Sequence, residues 1–224
     1  MNRDPISKTY SAATTPICLT VTSLSILLVN EFFGYSQYVK PVTKTLASFS
    51  FLYLGVNYGL VNSAQGNYVF IGLVLSAIGD VMLLSLKPHF FQIGAFFFLL
   101  AHLMYCGAFI TTGISIKWFL MSIVVVGPAA IIVYKYVLPY TTGLMRKLVI
   151  TYSIAISWMM AFASGSYGYS GKTWLLAAAF LFYVSDLFVA RQRFIKRCFL
   201  NSLCGLTLYY AAQLMFAISP AIDF

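Results

Sequence analysis

The stretch LSAIGDVMLLS, residues 75–85, places a carboxylate, Asp80, in a segment whose other residues are all apolar or small. Asp80 is the only charged residue between Lys44 and Lys87. A second stretch, LFYVSDLFVAR at 181–191, repeats the pattern with Asp186. Each lies in an apolar run too long for a buried strand and long enough to cross a bilayer. These stretches therefore predict membrane-spanning helices that carry one acid each.

The composition extends this prediction to the whole chain. Of its 224 residues, 61% are hydrophobic and 8% are charged, whereas soluble domains are about 25% charged. The net charge of +9 does not indicate nucleic acid, because the basic residues form short clusters between apolar runs, as in membrane loops. The four cysteines show no disulfide or metal-ligand spacing, so we expect no metal and no cofactor.

The chain divides into a polar tail, residues 1–15, and a single transmembrane helical domain, residues 16–224. Because hydrocarbon offers no hydrogen bonds to the backbone, each apolar run should be a helix. The fold class is therefore all-α, a polytopic membrane protein with about eight transmembrane helices. A shift of 106 residues maps Asp80 onto Asp186 and suggests a four-plus-four internal repeat. The predicted helices are 16–33, 40–58, 67–86, 90–112, 116–138, 147–164, 172–190 and 198–219.

The distribution of basic residues predicts the orientation. Ten of the 14 Lys and Arg residues lie at the loops that follow helices 1, 3, 5 and 7. Basic loops favour the cytosolic side, so both termini should face the lumen or the outside. At 1.5 Å per residue, Asp80 lies roughly 9 Å and Asp186 roughly 8 Å from the cytosolic ends of their helices. This depth predicts one cleft that is open to the cytosol.

Intramembrane carboxylates usually face a cavity or a charged partner. One reading is structural: Asp80 pairs with Lys44, or Asp186 with Arg193, and the ion pair locks two helices. The other reading is functional, because two acids at matched depth can serve as a general acid and a general base. The small neighbours Gly79 and Ser185 favour the functional reading.

Further polar residues reach the same half of the membrane from other helices. Lys40 and Lys44 share one face of helix 2, which suggests an anion site, although lysines at a membrane edge also reach out to headgroups. Arg191 begins a basic run that favours lipid headgroups as well as the cytosolic orientation. The other candidate substrate-binding residues, which place polar atoms inside helices, are His102, Tyr105, Tyr152, Tyr209 and Gln213.

Six stretches, in this order, resemble the YhhN family of multi-pass membrane proteins. They cover helices 2 to 8 and include both aspartates. The stretches are KPVTK (40–44), LSAIGDVMLL (75–84), GAFFFLLAHLMYCGAF (94–109), VITYSIAISWMM (149–160), LFYVSDLFVARQRF (181–194) and LTLYYAAQL (206–214).

Because characterised members of that family are lysoplasmalogenases, the resemblance implies hydrolysis of the vinyl ether bond of a lysophospholipid. The products would be a fatty aldehyde and glycerophosphoethanolamine or glycerophosphocholine. The family's two acidic positions fall on Asp80 and Asp186, and Lys40, Lys44 and Arg191 would hold the phosphate. Two alternatives stay open, a proton-coupled transporter and a lipid-binding protein without enzymatic activity. We expect the endoplasmic reticulum membrane as the location.

Overall fold

The computed structural model describes residues 5–85 and 87–222, which form eight α-helices joined by short turns and contain no strand. This confirms the predicted all-α class. A π-helical turn, Arg191–Ile195, continues the seventh helix. The helices are α1 Pro5–Phe33, α2 Val39–Asn57, α3 Ala64–Met82, α4 Pro88–Thr112, α5 Ile116–Val137, α6 Gly143–Ser170, α7 Thr173–Ala190 and α8 Phe199–Ile222.

The outside of the described bundle is strongly apolar. Phe49, Val124 and Val125 are each about 70% exposed, at 68%, 73% and 72%. Seven of the described helices are long and apolar enough to span a bilayer. The remaining helix, α2, carries Lys40 and Lys44, but it equals α3 in length and packs beside α1 and α3. The chain is a multi-pass membrane protein.

Helix ends agree with the predicted runs within a few residues, with three differences. The segment SGSYGYS, predicted as a loop, continues α6 to Ser170, because Gly168 leaves room for the Trp118 side chain, which would otherwise meet its Cβ. Helix α3 ends at Met82, so Asp80 lies only two residues from its end. Helix α1 begins at Pro5. Residues 1–4 of the predicted tail lie outside the described residues, and the division into tail and domain stays a prediction.

The helices pack as four sequential pairs, α1 with α2, α3 with α4, α5 with α6, and α7 with α8. Between pairs, α2 contacts α3 and α8, and α6 contacts α7 and α4. These two sets of contacts correspond if α1–α4 are matched in order with α5–α8. Since four spans return the chain to the side where it started, related halves would share an axis along the membrane normal. The duplication itself stays a prediction, which the packing supports.

Close helix approach fixes the position of Asp80. A Cβ atom added at Gly79 would lie 2.7 Å from the Phe98 ring and 3.2 Å from the Gly94 carbonyl oxygen. Helices α3 and α4 therefore approach through small residues, which is the usual basis of tight helix packing in membranes. Beside this contact, the Tyr105 and Phe216 rings stack with centroids 4.2 Å apart and join α4 to α8.

Helix α5 lies at the edge of the bundle. It packs mainly on α6, and Val137 is its only buried residue. We call the end of the bundle that carries the segments 34–38, 83–85, 138–142 and 191–198 the basic face.

Candidate active site

Both aspartates line one cavity near the basic face of the bundle. About 150 Å³ of it is open to water-sized molecules, which is room for several waters, since one water needs roughly 10–15 Å³ by this measure. Most of the wall is apolar. The acidic, basic and buried hydroxyl groups in the wall come from five helices: Lys44, Asp80, Tyr152, Ser185, Asp186 and Tyr209.

Asp80 on α3 is almost fully buried and has a partner on each oxygen. Lys44 Nζ lies 3.0 Å from Oδ1, and the two side chains are only 8% and 3% exposed. Ser48 Oγ donates to Oδ2 at 2.8 Å, and Tyr209 OH donates to the same oxygen at 2.7 Å. A cation and two hydroxyl donors therefore surround the Asp80 carboxyl group. The ion pair expected from the sequence between Asp80 and Lys44 is therefore present.

Asp186 on α7 is more open to the cavity, with 14% of its side chain exposed. Tyr152 OH on α6 donates to Oδ2 at 2.7 Å, and His102 Nε2 on α4 lies 3.5 Å from the same oxygen. No lysine or arginine of the described residues forms an ion pair with it. Arg193, the alternative partner considered from the sequence, instead lies over the Phe91 ring at 4.3 Å.

The two acids occupy corresponding places with different partners. Asp80 contacts α2 and α8, and Asp186 contacts the matching helices α6 and α4. The first acid is neutralised by a lysine, whereas the second faces a histidine and a phenol. Two carboxyl groups in one cavity therefore differ in charge environment, as the acid and base of a hydrolytic pair must.

Two buried polar groups lie near Asp186: Ser185 lines the cavity, and His102 does not. Ser185 is fully buried beside Asp186, and its hydroxyl has no hydrogen-bond partner among the described residues. The His102 ring is also fully buried, and neither of its nitrogens has a hydrogen-bond partner within the described part of the chain. Because buried polar groups are normally satisfied, the Ser185 hydroxyl, which lines the cavity, is suited to hold water or substrate.

Two predicted phosphate-binding residues are engaged away from the cavity wall. Lys40 Nζ forms an ion pair with Glu31 at 2.7 Å on the rim of the bundle. Arg191, in the π-helical turn, donates to Asn201 Oδ1 at 3.1 Å. The structure therefore brings Lys44, but not Lys40 or Arg191, to the two aspartates.

Tyr105 and Gln213 form a separate buried pair. Tyr105 OH donates to Gln213 Oε1 at 2.9 Å, and both side chains are fully buried. Neither residue lines the cavity. Their polar atoms mainly join α4 to α8.

Sequence reasoning missed Ser48 and gave Ser185 only a supporting role. Ser48 follows Lys44 by one helical turn, so it lies on the same face and reaches the same carboxylate. That spacing could have identified it. Within residues 5–85 and 87–222, no group of three His, Cys, Asp or Glu side chains is arranged to hold a metal ion.

Two mammalian proteins are similar to the chain in sequence. The chain is 30% identical to the Bos taurus protein named lysoplasmalogenase TMEM86A over 166 residues, 71% of this chain and 68% of that protein. It is 29% identical to the Homo sapiens protein of the same name over 157 residues, 67% of this chain and 64% of that protein.

No solved structure matches the chain. The family model described as the YhhN family matches residues 37–219, a range that includes every helix from α2 to α7 and both cavity aspartates. The chain therefore belongs to the YhhN family.

Proposed function

We propose that the protein hydrolyses the vinyl ether bond of lysoplasmalogens inside the membrane. One water is consumed, and a fatty aldehyde and glycerophosphoethanolamine or glycerophosphocholine are released. Two lines of support combine: relatives named lysoplasmalogenase at about 30% identity, and two carboxyl groups in different surroundings on one cavity wall. The second observation, the two aspartates in one cavity, is the basis of the proposed mechanism.

Asp186 acts as the general acid. Its carboxyl group gives a proton to the vinyl carbon next to the alkyl chain, and the carbon bonded to the ether oxygen becomes an oxocarbenium ion. Tyr152 OH, which donates to Asp186 Oδ2 at 2.7 Å, and His102 Nε2, 3.5 Å from the same oxygen, hold the acid in place. Asp186 suits this role because no described lysine or arginine pairs with it.

Asp80 acts as the general base and completes the reaction. Its carboxylate, held by Lys44, Ser48 and Tyr209, stabilises the oxocarbenium ion and takes a proton from the attacking water, as in glycoside hydrolysis. Addition of that water gives a hemiacetal. The hemiacetal then breaks its bond to the glycerol oxygen, which takes the proton that Asp80 gained. The proton of the hemiacetal hydroxyl passes to Asp186, so the aldehyde and the alcohol leave and both carboxyl groups return to their starting states.

The direct test supplies purified protein in detergent with a lysoplasmalogen and with its saturated ether analogue. Aldehyde release from the first substrate alone supports the proposal, because the analogue has no double bond to protonate. Asp186→Asn and Asp80→Asn should each lower kcat by at least roughly 100-fold, the lower range for acid–base catalysis. Glu31→Gln, a carboxyl-to-amide change outside the cavity, should retain normal turnover.

Folding must be separated from chemistry in the Asp80 variant, because Asp80→Asn leaves Lys44 buried without its ion-pair partner. The double variant Asp80→Asn, Lys44→Met removes both charges and should unfold cooperatively like the wild type while it stays inactive. Near-normal turnover in either single Asn variant contradicts the assignment. Movement of unchanged substrate across liposomes, without aldehyde, would instead favour the transporter.

The location and orientation are part of the same proposal. Ten of the 14 lysines and arginines lie in the turns of the basic face or within about two helical turns of them, so this face should lie in the cytosol, with the endoplasmic reticulum as the membrane. The cavity then takes its substrate from the cytosolic leaflet. Arg3, one of the four basic residues on the opposite side, lies outside the described residues.

A further inference from the structure

We propose that the hydrocarbon chain of the substrate lies in a groove between α5 and α6 that opens to the bilayer. This inference rests on the proposed function, since it concerns the tail of the lysolipid whose vinyl ether reaches the aspartates. The α5–α6 groove is formed by one face of α5 from Ile123 to Tyr134 and one face of α6 from Ile150 to Ala161.

The shape of the groove comes from small residues on both helices. On α5, Gly127 and Ala130 face it, and on α6, Ser153, Ser157 and Ala161 do. Small residues usually let two membrane helices close on each other, yet here about 390 Å³ stays open. A Cβ atom added at Gly127 would have nothing within 4 Å. The volume falls in the range of small-molecule sites, roughly 300–1,000 Å³.

The groove is continuous with the catalytic cavity. Ala130, Tyr134, Ser153 and Ser157 line both spaces. Ser153 directly follows Tyr152, the residue that donates to Asp186. A ligand held in the groove therefore has a direct path to the acid.

The walls fit a hydrocarbon chain and no headgroup. Ser153 Oγ donates to the Val149 carbonyl at 2.8 Å, and Ser157 Oγ donates to the Ser153 carbonyl at 2.7 Å. Both serine hydroxyls therefore satisfy their hydrogen bonds within α6 and act as small wall groups. The groove wall contains no lysine, arginine, aspartate or glutamate.

The length of the groove also fits one lipid tail. On α5, Tyr134 follows Ile123 by 11 positions, which at 1.5 Å per residue is about 17 Å. Half of a hydrocarbon core of about 30 Å is close to this length, so the groove spans about one leaflet. Single-chain lipids can therefore enter sideways from the bilayer, because α5 packs mainly on α6 and its outer face meets lipid.

The first test compares two aromatic substitutions on α5. Gly127→Phe places a ring in the groove, whereas Val125→Phe places one on a side chain that is 72% exposed and outside the groove wall. Lysoplasmalogens with long and short alkenyl chains serve as substrates. For long chains, Gly127→Phe should lower kcat/KM at least roughly tenfold, while short chains and Val125→Phe should stay near wild type. Equal behaviour of the two variants, with the wild type active, overturns the groove and leaves the proposed function intact.

The second test needs no turnover. A lysophospholipid with a brominated saturated chain, in nanodiscs of unlabelled phosphatidylcholine, should quench Trp158, which lines the groove. The Trp158 signal is taken as the difference from Trp158→Phe. Quenching that is strong in the wild type and Val125→Phe but lost in Gly127→Phe supports the groove, even if no aldehyde forms and the proposed function fails. Equal quenching in all three proteins overturns it.

Discussion

At the scale of the residue, the decisive feature is that Asp80 and Asp186 have different partners. Asp80 could be recognised from sequence as an acid in an apolar helix, and Lys44 as a possible partner, because both lie in sparsely charged stretches. Which acid receives the lysine could not be read from sequence, since that depends on how α2 rotates against α3. Lys40, one turn before Lys44, turns instead to Glu31.

Removal of the lysine should destabilise the protein more than removal of the whole pair. Lys44→Met leaves a buried carboxylate without its cation, which costs about 3–5 kcal/mol in comparable pairs. The double variant Lys44→Met, Asp80→Asn should recover most of that free energy of unfolding. The measurement is urea unfolding in detergent, arranged as a double-mutant cycle. A single variant as stable as wild type would show that the pair contributes little.

Tyr105→Phe should affect stability and leave substrate affinity unchanged. The change removes the donor to Gln213 Oε1, and an unsatisfied buried group costs about 1–3 kcal/mol. Because Tyr105 lies outside the cavity wall, KM should stay at the wild-type value. A raised KM would favour the substrate-binding role that the sequence predicted for this residue.

At the scale of the element, the helices were predictable and their contacts were not. Long apolar runs in a membrane can only be helices. For seven of the eight helices, the predicted C-terminal end lies within about one helical turn of the C-terminal end in the structure. The exception is α6, where two glycines in a segment that resembles a loop make room for side chains, Gly165 for Ile114 and Gly168 for Trp118. Because the outer face of a membrane helix is as apolar as its inner face, the sequence does not show which face packs against a neighbour. Contacts such as that between Gly79 and Gly94 could therefore be identified only from the structure.

Gly79→Ala tests the contact that positions Asp80. The added methyl group would lie 2.7 Å from the Phe98 ring and 3.2 Å from a backbone oxygen of α4, so the helices must separate. Overpacking of this kind costs about 1–3 kcal/mol, and turnover should fall because Asp80 is the next residue. Unfolding in detergent and kcat are the measurements.

Gly127→Ala is the matched stability control, because its methyl group meets nothing within 4 Å. Its free energy of unfolding should be unchanged or higher by up to about 1 kcal/mol, the difference in helix propensity between glycine and alanine. If Gly79→Ala and Gly127→Ala lost the same free energy of unfolding, the close approach of α3 and α4 would not be the cause of the destabilisation.

At the scale of the whole molecule, charge sets the topology. The chain has no Asn-x-Ser/Thr site of its own, so glycosylation can report which side each loop occupies. An acceptor site in a flexible insert between Gly171 and Lys172 should be glycosylated in the endoplasmic reticulum, whereas the same insert between Thr141 and Thr142 should not. An endoglycosidase-sensitive gel shift gives the answer. The opposite pattern would place the basic face in the lumen.

The correspondence between the two sets of four helices has a consequence for how this centre could arise. A homodimer of four-helix subunits would surround both acids with identical side chains, and neither could specialise. Fused in one polypeptide, each copy is free to change alone, so a lysine can stand beside one carboxyl group and a histidine beside the other. If the chain arose by the predicted duplication, the different roles proposed for Asp186 and Asp80 depend on the covalent link between the two halves, which lies far from either residue.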